Sequence, residues 1–377
     1  MNKRVLIIGG YGNFGRFISC ELAKQKNIQV IIAGRSIEKA IELSNELDAV
    51  NDVEASALNI HADLDKAFQA INPDIVIHTS GPFQQQGYKV AKACIHAKAH
   101  YIDLADGREF VEGITELDMF AKEQGVLVIS GASSVPCLTS ALVDYHKPEF
   151  KELDCLNYGI TTAQKTAKGL ATTAAILGYT GKPFKTLIAG RKSKIFGWQG
   201  LHLRKFRELG WKLLSYCDVP DLALFPKRYP QLQNIRFYAG LEIPLIHFVL
   251  WVISWLVRFG LIKNLQRTAR MLLKLSSLFD WLGSDNSAFY MELSGTGKKP
   301  GKGKKGQNKS IIFELTARSG DGPYIPSMPA ILMAKKLANE QVKERGAFPC
   351  VGFITRDEYL NALSNMDISW NILKKIS

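Results

Sequence analysis

Cysteine is scarce in this chain and never clustered. Six thiols (Cys20, Cys94, Cys137, Cys155, Cys217, Cys350) are scattered over 377 residues, with no pair at metal-ligand spacing. No metal site is expected, and the thiols read as reduced. A secretory leader is also missing from the pattern. The apolar run at the N-terminus is too short for an h-region and passes straight into a glycine turn, so a cytoplasmic location is expected. Acidic residues are outnumbered, 35 against 48 basic, for a net charge of +13. That balance favours an anionic partner: a dinucleotide, an acidic substrate, a membrane surface or nucleic acid. With 46% hydrophobic and 22% charged residues, the composition is globular, and the length suffices for two domains with separate cores.

The informative stretch comes first. Residues 4–8 (RVLII) are a short β-branched run of the kind buried on both sheet faces. Gly9-Gly10-Tyr11-Gly12-Asn13-Phe14-Gly15 follows, then residues 16–23 with helical spacing of apolar positions, then a second strand at 29–33. Strand, glycine turn, helix and strand in that order make a dinucleotide-binding βαβ unit. In it Gly10 is expected to make the tight turn, Gly12 to admit the pyrophosphate, and Gly15 to let the helix pack close. Free N–H groups at the helix start complete the phosphate site.

The end of the second strand lacks the acid that commonly holds the ribose 2′-hydroxyl of NAD. It reads Ala33-Gly34-Arg35-Ser36, with Lys39 one helical turn further on. Arg35 offers a planar fork to a 2′-phosphate, Ser36 a hydroxyl donor and Lys39 a point charge, which favours NADP(H).

Helices and strands alternate to about residue 131, which predicts an open, doubly wound parallel sheet. A strand at 73–79 ends in Ser80-Gly81-Pro82-Phe83, expected to line the nicotinamide side because ligands sit outside the carboxyl ends of strands. Residues 110–124 read as one helix. The domain boundary is expected near residue 135, with a Rossmann domain over 1–135 and an α/β substrate and dimerisation domain over 136–377.

The chain resembles the saccharopine dehydrogenase-like NADP-binding oxidoreductases. The likeness rests on Gly10-x-Gly12-x-x-Gly15, Ala33-Gly34-Arg35, Ser80-Gly81-Pro82-Phe83, Ala93-Cys94, Tyr101-x-Asp103-Leu104 and residues 131–136 (GASSVP). It resumes at Gly283-Ser284-Asp285, at 321–326 (DGPYIP) and at 346–352 (GAFPCVG). The resemblance implies an NADP-dependent oxidoreductase with a Rossmann domain, an α/β substrate domain and a dimeric assembly. Relatives of that kind include saccharopine reductases and trans-acting enoyl reductases working on lipid-linked substrates. Two departures stand out. Gly131-Ala132-Ser133-Ser134-Val135-Pro136 lacks the acid of Gly-Phe-Asp-Ser-x-Pro, and Ala105-Asp106-Gly107 stands where Thr-Gly-Glu is common.

For chemistry, Asp106 and Tyr101 are the candidates to orient substrate or deliver a proton beside the nicotinamide. Asp103 reads as a loop-holding acid, His78 as a core histidine and Cys137 as a small buried residue.

In the second half, alternating strands at 288–293 and 310–315 flank a lysine- and glycine-rich tip at 298–305, read as a solvated loop rather than a nucleic-acid contact. The chain is expected to close with a helical segment from Arg356. Residues 243–262 form an apolar run that approaches a membrane span in length. Lys263, Arg267, Arg270 and Lys274 follow among apolar residues, within a helical insertion at about 240–283. A true span would set the later strands across a membrane from the first domain and is rejected. The choice is between a dimer interface and peripheral contact with an anionic membrane through 243–278, and the basic residues favour the membrane. The reading is thus an NADPH-dependent reductase of a C=C, C=N or C=O bond in a lipid-like or amino-acid-derived substrate. Its rival is a nucleotide-binding, membrane-associated scaffold or sensor without turnover.

Overall fold

In the first of two compact units, six strands follow one another: β1 (Lys3–Ile8), β2 (Ile28–Gly34), β3 (Glu54–Ala57), β4 (Ile75–His78), β5 (His100–Asp103) and β6 (Leu127–Ser130). The structure, a computed structural model, describes residues 2–166, 169–298 and 307–376. All the strands of this sheet run parallel, in the order β6-β5-β4-β1-β2-β3. A seventh strand, Gly346–Pro349, joins the outer edge of β6. Val5, Leu6, Ile7 and Ile8 are essentially inaccessible, as a strand covered on both faces requires. On one face Leu6, Ile8, Val76, Tyr101 and Val128 pack with Phe68, Val90, Cys94 and Ile95. Helix α1 (Asn13–Ala23) follows β1 and packs against the Met328–Ala338 helix. Helix α2 (Ile37–Glu46) follows β2.

This unit comprises residues 1–141 and 324–362, and the other 142–323 and 363–377. The division therefore differs from the expected cut at 135. Residues 324–362, assigned from sequence to the second domain, supply two helices (Met328–Ala338 and Arg356–Ala362) and a strand to the first. The reason is the parallel pairing of Gly346–Pro349 with β6, which nothing local in a four-residue strand announces. The expected helix at 110–124 is three short pieces, Arg108–Gly113, Ile114–Leu117 and Asp118–Glu123.

The second unit holds a mixed sheet built on β7 (Phe150–Thr162). Two strands, β8 (Pro183–Ile188) and β9 (Arg191–Phe196), form a separate hairpin. Then come β10 (His202–Phe206), β11 (Gly210–Tyr216), β12 (Asn234–Leu241), β13 (Ser287–Gly297) and β14 (Asn308–Ala317). The order is β10-β11-β12-β7-β13-β14, closed by a C-terminal strand, Ile368–Ile376. Among the described residues, β7–β12 is the one parallel pairing of this sheet. The end of the chain is thus a short helix, Arg356–Ala362, followed by an edge strand, where helix alone was expected. Of the basic tip, 299–305 lie outside the described residues. The apolar run at 243–262 forms a helix only over Pro244–Arg258, and no helix among the described residues is long and apolar enough to cross a membrane.

Candidate dinucleotide site

Strand β1 lies between β2 and β4 and pairs with both. From β1 the chain proceeds toward β2 and β3, whereas from β4 it proceeds to β5 and β6 on the other side. The crevice outside the carboxyl ends of β1 and β4 is therefore the topological switch point of the sheet, where ligands of open α/β folds bind. Ile8 and His78 are register partners, so Gly9 and Thr79 leave the sheet side by side. The Thr79 amide and hydroxyl both donate to the Ile8 carbonyl at 2.9 Å and join the two turns.

The glycines divide the work differently from the expectation. Gly9, not Gly10, holds the left-handed backbone of the turn, with φ +79°. A Cβ at Gly9 would stand 2.6 Å from Ser80 Oγ and 2.7 Å from Thr79 Oγ1, so only glycine lets the β4 turn close on the β1 turn. The Gly9 and Gly10 amides both donate to the Ala33 carbonyl, at 2.8 and 3.1 Å. Gly10 is instead a close-packing position, where a Cβ would come 2.9 Å from the Ile7 carbonyl oxygen. Gly15 behaves as expected, since a Cβ there would run into the Gly9 carbonyl. Gly12 is exposed and caps α1 with no side chain. The amides at Asn13, Phe14 and Gly15 consequently open α1 toward the crevice as helix-start donors. Asn13 is exposed and Phe14 half-buried.

At the end of β2, Arg35 and Lys39 are exposed, and neither side chain has an ionic partner among the described residues. Ser36 is committed elsewhere than expected. Its Oγ accepts the Lys39 amide as the cap of α2 and donates to Glu38 Oε2 at 2.7 Å, so it is not a free donor for a phosphate. Tyr11 bridges the two turns: its ring fills the space a Cβ on Gly34 would need, and its hydroxyl accepts the Ser36 amide at 2.9 Å. A glycine ending β2 was visible in the sequence, but its dependence on Tyr11 was not.

On the β4 side, Gln86 Nε2 donates to the carbonyls of Ser80 (2.7 Å) and Pro82 (3.1 Å), holding Ser80-Gly81-Pro82 in place. Phe83 closes the turn with its ring turned inward. It is buried, edge-on to His78 and tilted against Phe110. The Tyr101 side chain is buried, and its hydroxyl lies 3.1 Å from His78 Nδ1. Burial holds the His78 imidazole down near a pKa of about 4. Asp103 fulfils its loop-holding reading. Its Oδ1 accepts from the Ala105 amide, the Gly131 amide and Ser130 Oγ at 2.8–3.0 Å, and burial pushes the carboxyl up to about 6. Cys137 is buried, as expected. Asp106 lies beyond the carboxyl end of β5 and is solvent-exposed, and its Oδ1 accepts from Gln84 Nε2 at 3.0 Å. Among the described residues no cluster of His, Cys, Asp or Glu could hold a metal ion.

Residues 5–129, which contain all of this geometry, match the family model of the saccharopine dehydrogenase NADP-binding domain. The chain carries a saccharopine dehydrogenase-like NADP-binding domain. A solved structure with the same fold is the apo, histidine-tagged saccharopine dehydrogenase (L-Glu forming) from Saccharomyces cerevisiae. It is 13% identical, with a TM-score of 0.65, and the alignment covers 99% of this chain and 100% of that one. An amine dehydrogenase from Mycobacterium smegmatis aligns at 12% identity and TM-score 0.43, over 93% and 95% of the two chains. The putative oxidoreductase yvaA from Bacillus subtilis aligns at 16% and 0.42, over 96% and 93%. No curated protein matches the chain.

The saccharopine dehydrogenase-like domain has a nicotinamide dinucleotide as its cofactor, and the residues of this chain fit one. The side-chain-free turn at Gly9 and Gly12, which Gly10 and Gly15 let pack tightly beneath, and the uncapped start of α1 suit a pyrophosphate. Such a cofactor supplies hydride chemistry; the protein binds it, orients it and manages protons.

Proposed function

We propose that the protein is an NADPH-dependent reductase acting on a C=C, C=N or C=O bond of a lipid-like or amino-acid-derived substrate. The observation that carries the cofactor choice is the end of β2. Arg35 and Lys39 stand there exposed and unpaired among the described residues, while Glu38 is engaged by Ser36 Oγ. Two free cations suit a 2′-phosphate better than a ribose 2′-hydroxyl, and the one acid nearby, Glu38, lies in the first turn of α2 and not at the strand end. On the nicotinamide side, Ser80 to Pro82 line the crevice, and Asp106, exposed beyond β5 and hydrogen-bonded by Gln84, is the residue to hold or release a proton. An amino-acid substrate would need cations in the second unit for its carboxylate; of Arg191, Arg204 and Arg207, Arg204 lies over the Tyr290 ring at 3.6 Å and Arg207 bonds Asn371, which leaves Arg191 exposed on β9. These engagements weigh toward the lipid-like substrate. The non-catalytic scaffold reading gains from the burial of Tyr101 in the core.

NADPH oxidation measured against enoyl thioesters, imine-forming amine and aldehyde pairs, and ketones separates the two. The reductase reading expects turnover with one class, slowed by roughly 100-fold in Asp106→Asn. NADPH binding without oxidation by any class would leave the scaffold.

A further inference from the structure

The Pro244–Arg258 helix is built inside out. The side chains it turns toward its own unit include His247 and Ser254, both fully buried, with Leu250 between them. His247 Nδ1 accepts the Leu241 amide, and its Nε2 lies 2.9 Å from Ser215 Oγ on β11, so the inward histidine is a satisfied neutral structural group. Arg258, at the end of the helix and exposed, reaches back to its own unit. It donates to Gln199 Oε1 at 2.7 Å and lies over the Phe196 ring at 3.9 Å. The opposite face carries Leu245, Phe248, Val249, Val252, Leu256 and Phe259, at spacings of three and four, and all are exposed. A helix on a water-facing surface has the reverse arrangement.

The apolar surface continues beyond the helix. Leu261 is 73% exposed, and Met271, Leu275 and Leu278 lie open on and after the Ala269–Ser277 helix, ending at Trp281, 76% exposed. Interleaved with them, Lys263, Arg267, Arg270 and Lys274 are also exposed. From 243 to 279 the sequence contains no Asp or Glu.

We propose that this face seats the protein on an anionic lipid bilayer, lying in the headgroup layer without crossing it. Two observations choose this occupant. A second copy of the chain, docking about a two-fold axis, would bring the same four cations against themselves with no acid to answer them. A bilayer with anionic headgroups accepts the apolar ridge and the cations together, and no described helix could span it. The inference stands independently of the dinucleotide site.

The test is flotation of the full-length protein with vesicles of phosphatidylcholine alone or with added phosphatidylglycerol. The protein should float with the anionic vesicles and partition roughly tenfold less to the neutral ones. Phe248→Ser/Phe259→Ser/Leu278→Ser should lose flotation at an unchanged melting temperature, because none of the three supports the core. The variant Lys263→Gln/Arg267→Gln/Arg270→Gln/Lys274→Gln should erase the preference for anionic vesicles and serves as a second probe if the serine variant misfolds. Wild type that stays at the bottom of the gradient with anionic vesicles would overturn the proposal, as would a folded serine variant that floats like wild type. A wild-type dimer that the serine variant splits into monomers would assign the face to a second copy instead.

Discussion

Gly15 shows how much one missing methyl can decide. Its would-be Cβ meets the Gly9 carbonyl, a backbone group fixed by the Gly12 amide at 2.8 Å and by the sheet. Gly15→Ala must therefore shift α1 away from the turn. A stability loss of about 2 kcal/mol, measured by urea unfolding, is expected together with loss of nucleotide binding. Asp103 makes a prediction of the opposite kind. Its folded pKa of about 6 lies above the ordinary aspartate value, so the folded state holds the proton longer than the unfolded chain. Stability should fall as pH rises from about 4 to 6, by roughly 3 kcal/mol if no other group compensates. Asp103→Asn keeps an acceptor for the Ala105, Gly131 and Ser130 donors and should flatten that slope. Asp103→Ala strands the three donors and should destabilise by about 3 kcal/mol. At this scale the sequence displayed the glycine spacing and Arg35 plainly. It concealed Gly9, whose role depends on Thr79 and Ser80 arriving from a strand some seventy residues away, and it concealed that Tyr101 points into the core.

Among the elements, those whose neighbours lie close in sequence were legible. β1, α1, β2 and α2 follow from a buried apolar run, a glycine turn, helical spacing and the Ser36 cap. The strand Gly346–Pro349 and the Met328–Ala338 helix were misassigned because their partners, β6 and α1, lie about two hundred residues or more upstream. That packing carries a consequence. Ala330, Ile331, Met333 and Ala334 are essentially inaccessible in the first unit. A fragment of residues 1–141 would expose the surfaces they cover and leave an unpaired β6 edge. Expressed alone it should aggregate or unfold at room temperature, as size-exclusion chromatography would show. The same fragment with residues 324–362 joined by a flexible linker should be monomeric and folded. A folded, soluble 1–141 would contradict the observed unit boundary.

Across the whole molecule, charge is the property that composition reports best. The excess of basic residues gathers visibly at two places, the free cations after β2 and the basic, acid-free surface around 263–274. A third place is internal. Glu149 Oε2 takes Lys309 Nζ from β14 at 2.8 Å and Lys374 Nζ from the C-terminal strand at 2.7 Å, and Oε1 lies 2.9 Å from His146 Nδ1. Burial pushes this carboxyl up, but the hydrogen bonds from Lys309, Lys374 and His146 outweigh it and hold the pKa at about 2. A depressed carboxylate contributes stability above its ordinary value of about 4.5, lost as pH falls toward 2. Allowing for its partial exposure, Glu149→Gln should cost roughly 2 kcal/mol at neutral pH and almost nothing near pH 2, read from urea midpoints across that range.

The central claim is that the crevice between the β1 and β4 turns binds NADPH through the cations after β2. Calorimetric titration of the protein with NADPH and with NADH, on wild type and on Arg35→Ala, tests it most directly. The account predicts NADPH bound at least roughly tenfold more tightly than NADH by wild type, and the two bound alike by Arg35→Ala, with NADH affinity unchanged. Equal affinities in wild type, or an NADPH preference that survives Arg35→Ala, would contradict it.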